Sequence, residues 1–160
     1  MNANRPFIDK SHPEVYKAAV SAASATRKAA VAAGIDVGLI ELINTRVSQI
    51  NGCHTCLSIH VPAARKAGVE QLKLDVLAAW QESHVFDDRE RAALLIAESL
   101  TNLDVPVDRD EIAAEAARHL STEQIAAVEW IATMINAFNR ISIASNHPTV
   151  GAKKAAQLAD

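Results

Sequence analysis

The chain has 160 residues, 49% of them apolar and 4% aromatic, and a formal net charge of −3. Its acidic and basic residues are interspersed, which excludes the one-sided positive field that nucleic acid or an anionic membrane surface needs. No charged leader precedes an apolar segment at the N-terminus and no apolar run reaches spanning length, so a cytoplasmic protein is expected.

That length suits one core, so residues 1–160 read as a single domain. Thirty-one alanines against five glycines, with few strand formers, favour closely packed helices. In chain order, Ser11 is placed to cap a first helix with Pro13 and Glu14 early in it, and Gly34 stops that helix. Asp36 caps a second, with Leu39, Ile40, Ile43 and Val47 at helical spacing. Asn51-Gly52 breaks it, and a third helix with Asn51 as N-cap runs to Gly68, where Pro62 predicts a kink or an early end. Val69 to Trp80 form a fourth. Asp87 or Asp88 caps a fifth over Arg89 to Leu100, and Asp108 a sixth to about His119. Ser121 to Gln124 is a capping box that opens the longest segment, apolar almost all round and running to about Ser145. Pro148 permits a last short helix with Lys153 and Lys154 exposed. The expected fold is all-α, with about six to eight helices. The two-sided apolar helices, above all Ile125 to Ile143, predict a homo-oligomer.

Both cysteines and two of the six histidines fall within Glu41 to His60, ELINTRVSQINGCHTCLSIH. With the helix starting near Asn51, Cys53 lies in its first turn, where unpaired N–H groups and the positive end of the helix stabilise a thiolate. Cys56 is one turn on and on the same face. His60 lies four residues further, so its imidazole reaches the Cys56 sulfur along the helix surface. In antiparallel helices joined by a short turn, residues equidistant from the turn face each other. Glu41 therefore stands opposite His60, each roughly 14 Å of helix from the turn. A carboxylate beside a histidine orients the ring and raises its basicity.

Taken singly, each residue has a plainer reading. The cysteines are then small buried hydrophobes, His60 a satisfied core histidine and Glu41 a solvated helix carboxylate. Zinc is another alternative, with Cys53, Cys56, His60 and Glu41 as ligands, although structural zinc sites usually bring a second Cys or His pair. His54, about 100° round the helix from the cysteine face, reads as facing the surface or a subunit. Trp80, Trp130 and Phe138 read as core or interface, and Glu98 and Arg140 as an ion pair or interface polar groups.

The pattern E-x11-C-x2-C-x3-H, with Asn-Gly before the first cysteine, resembles the redox motif of the carboxymuconolactone decarboxylase superfamily in its alkylhydroperoxidase D-like (AhpD-like) branch. The likeness continues in DDRERAALLIAESLT (Asp87 to Thr101) and NAFNRISIASNHP (Asn136 to Pro148), and covers about Leu39 to Pro148. Where the best-studied members carry His or an aromatic residue just before the second cysteine, this chain has Thr55, with a histidine at position 54. The resemblance implies an AhpD-like helical domain assembled as a dimer, trimer or hexamer. It also implies a thiol-dependent peroxidase, or dithiol–disulfide oxidoreductase, that works without haem, flavin or metal. Cys56 would attack the hydroperoxide after deprotonation by a relay from Glu41 through His60, and Cys53 would resolve the sulfenic acid as a disulfide. A dihydrolipoyl or thioredoxin-like protein would then reduce the pair. On the residues themselves, Cys56 is the activated thiol, and Cys53, beside the Asn51-Gly52 loop, is the sulfur an external dithiol is expected to reach. A decarboxylase-type lyase and a non-catalytic redox sensor remain the alternatives.

Overall fold

The computed structural model describes residues 5–151, so the short helix expected after Pro148, with Lys153 and Lys154, lies outside the described residues. Among the described residues eight α-helices follow in order: α1 (Ile8–Ser11), α2 (Pro13–Ala32), α3 (Val37–Ile50), α4 (His54–Lys66), α5 (Gln71–Val76), α6 (Asp88–Thr101), α7 (Arg109–Ala116) and α8 (Thr122–Ala144), with a 3-10 turn at Leu77–Ala79. There is no strand among the described residues, as the composition predicts.

The helix starts are set locally. Asp36 accepts from the Leu39 N–H, Asp108 from those of Asp110 and Glu111, and Asp87 and Ser121 each close a full capping box. Each such cap satisfies a backbone donor that has no partner inside its helix. Ser11 does not cap: it ends α1, its hydroxyl donating to the Phe7 carbonyl at 3.0 Å, and α2 starts after His12 with Pro13 in its first turn. Pro62 does not end α4, which runs through it to Lys66. The segment expected as one helix to Trp80 is α-helical only over Gln71–Val76 and tightens to a 3-10 turn at Leu77–Ala79, and just beyond it Arg91 binds the carbonyls of Trp80, Gln81 and Ser83.

α3 is the centre of the molecule. Leu42, Ile43 and Val47 are wholly buried on it, and it packs against α4, α6 and α8. α6 packs against α8, and each carries small, fully buried residues, Ala93 and Ala97 on one and Ala132 with Val128 on the other. Such faces let the helix axes approach closely. α8 buries Val128, Ile131, Ala132, Ile135 and Asn139 and leaves Trp130 60% exposed on its far side. α2 packs mainly on α8 and buries only Ala30, so its inner stripe is left to wall a cavity.

Candidate active site

The turn between α3 and α4 places the two sulfurs, and it does so two residues later than expected. The Asn51 N–H still bonds the Val47 carbonyl, so Asn51 ends α3 rather than starting α4. Gly52 then takes φ +65°, a left-handed conformation that costs other residues roughly 1–2 kcal/mol. Cys53 is the N-cap of α4, and its Sγ accepts from the Cys56 N–H at 3.3 Å. The Asn51 side chain, released from capping, donates to Asn136 Oδ1 and Asn139 Oδ1, both at 2.9 Å, while Asn139 donates to Ser48 Oγ at 3.1 Å. This asparagine cluster fastens the turn to α8. Asn136 and Asn139 stand in the stretch of family likeness, but no local rule assigns them that role.

Cys53 and Cys56 are joined as a disulfide, with Cα atoms 5.3 Å apart. The two sulfurs face different spaces. Cys56 lines a cavity of about 800 Å3, whereas Cys53 lines a hollow of about 140 Å3 shared with Arg5, Gly52, His54, Ser142 and Asn146. The expectation that Cys53 is open to an external dithiol fails, because it is only 1% exposed. Ser142 and Ile143, at the C-terminal end of α8, border its hollow.

Hairpin geometry brings Glu41 to His60 as the count from the turn requires, with His60 Nδ1 2.7 Å from Glu41 Oε2. Glu41 is not a solvated carboxylate: it is 4% exposed. Its other oxygen, Oε1, accepts from Arg27 Nη1 at 2.6 Å, and Asn44 Nδ2 lies 3.4 Å from Oε2. Burial pushes the Glu41 carboxyl up, but the hydrogen bonds and positive charges of His60 and Arg27 outweigh it and hold the group below the usual carboxylate value. Glu41 is therefore ionised and acts as acceptor, so the His60 Nδ1 is the nitrogen that donates to it, and in the neutral ring this leaves Nε2 as the proton acceptor. Arg27 comes from α2, fourteen residues before Glu41, and no motif pointed to it.

The cavity holds Glu41, Cys56 and His60 together. One wall is the α2 stripe Tyr16, Val20, Ala23 and Arg27, and the other is Ile131, Met134, Ile135 and Phe138 of α8. Tyr16 and Phe138 meet edge-on across it, ring centres 6.1 Å apart. Residues 147–150 cross the start of α4 and close a third side. They are pinned there by Thr55 Oγ1 on the His147 carbonyl at 2.7 Å, the Val150 N–H on Ser58 Oγ at 2.9 Å, and Thr149 Oγ1 3.0 Å from His54 Nδ1. Thr55, which stands where relatives have a ring, thus anchors this segment, and His54 is exposed as expected. Glu98 does not pair with Arg140. It binds Arg46 Nε and the Trp80 indole N–H, while Arg140 donates to Asn136. With Cys53 and Cys56 joined as a disulfide, no three His, Cys, Asp or Glu side chains among the described residues converge as metal ligands.

The model of the carboxymuconolactone decarboxylase family matches residues 13–99, more than half of the chain, and this stretch contains all four motif residues. The chain belongs to that family. Its relatives include the uncharacterized protein YdfG of Bacillus subtilis, 38% identical over 104 residues that make up 65% of this chain and 71% of YdfG. The uncharacterized protein YnjA of Escherichia coli is 27% identical over 118 residues, 73% of this chain and 64% of YnjA. Among solved structures, a protein of unknown function from Agrobacterium tumefaciens, for which the identity of antioxidant defence protein AhpD has been suggested, superposes with a TM-score of 0.80 at 28% identity. That match covers 92% of this chain and 98% of the other. The debrominase Bmp8 shares the fold, with a TM-score of 0.66 at 24% identity over 79% of this chain and 68% of its own. The AhpD-like, all-helical fold expected from the motif is thus the one observed. No helix among the described residues is long and apolar enough to cross a membrane.

Proposed function

We propose that this family member is a cytoplasmic thiol peroxidase that reduces hydroperoxides through Cys56 and closes the Cys53–Cys56 disulfide. The observation that carries the reading is the sharing of one cavity by Cys56 and the His60–Glu41 pair, with the second sulfur bonded behind. In the reduced protein, His60 Nε2 takes the Cys56 proton. The thiolate attacks the distal peroxide oxygen, the O–O bond breaks, and the departing alkoxide takes the proton back from His60 to leave as an alcohol. Cys56 is now a sulfenic acid. Cys53, stabilised as a thiolate by the Cys56 N–H at the start of α4, attacks that sulfur. The S–S bond forms, and hydroxide leaves as water with the proton Cys53 has given up.

An external dithiol then returns both electrons and becomes a disulfide itself. Because Cys53 is covered, its attack comes through the cavity at Cys56 and expels the capped Cys53 thiolate. A slender dihydrolipoyl arm fits that route better than the flat face of a thioredoxin-like protein. The aliphatic and aromatic walls suit the apolar body of an organic hydroperoxide. The test is steady turnover of cumene hydroperoxide with dihydrolipoamide, thioredoxin or glutathione as reductant. Turnover with a dithiol supports the peroxidase. A single stoichiometric burst with every reductant means a sensor, and lactone consumption surviving replacement of both cysteines by serine means a lyase.

A further inference from the structure

α2 touches the α3–α4 hairpin at few points, yet Arg27 reaches from it to Glu41. This is not a packing arginine: its side chain is 42% exposed and lines the cavity. We propose that Arg27 is a positioning residue for the thiol step: its fixed positive charge keeps Glu41 a carboxylate whether His60 is neutral or protonated, so the Cys56 proton stops at His60. The consequence for peroxide reduction rests on the reading above, but the inference itself is testable without peroxide.

A buried carboxylate facing only a neutral imidazole has no counter-charge, and desolvation draws a proton onto it. Here each carboxylate oxygen has its own donor, Arg27 on Oε1 and His60 on Oε2, and a guanidinium stays protonated at every working pH. Arg27, Glu41, neutral His60 and the Cys56 thiol sum to zero charge. Moving the thiol proton to His60 keeps the sum at zero and leaves Glu41 between two cations. Without Arg27 the remaining three groups sum to −1, and the thiolate must form in a site already negative. Glu41 is then a proton acceptor that competes with its orienting role. The other titratable groups on the cavity wall are Tyr16 of α2 and His147, which lies 3.1 Å from Asp9, while α8 contributes no charged side chain.

The readout is the rate of Cys56 alkylation by iodoacetamide against pH, measured in a Cys53→Ser background, where serine retains an N-cap oxygen for α4. Arg27→Gln keeps a hydrogen-bond donor but removes the charge. It should move the profile about one pH unit to the alkaline side, a modest value for a neighbouring charge because the guanidinium is partly solvated. Below the titration limb alkylation should then be roughly tenfold slower. Arg27→Lys should stay within about 0.3 pH unit of the parent, since it restores the charge on a shorter reach. A Gln profile that overlays the parent overturns the inference, and so does a Lys profile displaced as far as the Gln one, because a purely structural role would not distinguish them. Failure of the protein to turn over peroxide would sink the peroxidase reading and leave these profiles unchanged.

Discussion

Replacing Glu41 by glutamine changes one atom and breaks the centre of the site in a way the geometry quantifies. Both carboxylate oxygens are occupied, Oε1 by Arg27 at 2.6 Å and Oε2 by His60 at 2.7 Å. An amide has one acceptor oxygen, so either Arg27 or His60 must face its NH2, and a buried donor without an acceptor costs about 1–3 kcal/mol. Arg27 is partly solvated and recovers some of this from water, whereas the loss of His60 orientation falls on the reaction. The expected outcome is a loss of stability of about 1 kcal/mol and a peroxide step roughly tenfold to a hundredfold slower, the rate equivalent of about 1.4–2.7 kcal/mol. Urea unfolding gives the first quantity. Stopped-flow single turnover of the reduced protein with cumene hydroperoxide gives the second. A Glu41→Gln protein within twofold of the wild-type rate at neutral pH, with unchanged unfolding, would refute the view that this carboxylate holds His60 for catalysis.

The same group makes stability depend on pH. Because Glu41 titrates below its ordinary value of 4.5 in the fold, its contribution is complete above that value and is lost as the pH falls through the lower folded one. The stability advantage of wild type over Glu41→Gln, followed by urea unfolding, should therefore shrink steadily as the pH drops below 4.5. His60→Ala should slow the peroxide step about 10²–10⁴-fold, more than Glu41→Gln, with near-unchanged circular dichroism. Asn139→Ala, which leaves a fully buried site without its bonds to Asn51 and Ser48, should cost about 1–3 kcal/mol in thermal or urea unfolding.

What was legible in the sequence was whatever is decided within a few residues. Asp36, Asp87, Asp108 and Ser121 cap where the sequence places them, and Gly34 and Gly68 end their helices at positive φ. The Glu41–His60 contact was also legible, because a tight turn makes distance from the turn a ruler. Illegible features depend on partners far along the chain. Asn51 looked like an N-cap, but its amide is taken by Asn136 and Asn139, 85 and 88 residues away. Arg27 belongs to a helix placed mainly by packing of α2 on α8. The glycine turn beside Cys53 suggests access, but the sulfur is buried in a hollow bordered by Ser142 and Ile143 of α8, far along the chain. Glu98 found Arg46 and Trp80 rather than Arg140, since α3 and not α8 supplies the nearest cation.

The division of labour between the two sulfurs is the centre of the account, and two forces compete over it. Cys56 shares the cavity with His60 and Glu41, while the start of α4 stabilises a thiolate on Cys53. Mass spectrometry of dimedone adducts, after one equivalent of cumene hydroperoxide is added to each reduced single-cysteine variant, decides between them. Cys53→Ser is expected to carry a trappable sulfenic acid on Cys56, and Cys56→Ser to consume no peroxide and carry no adduct. An adduct on Cys53 in the Cys56→Ser protein, with peroxide consumed at near the wild-type rate, would contradict that expectation and make Cys53 the attacking thiol.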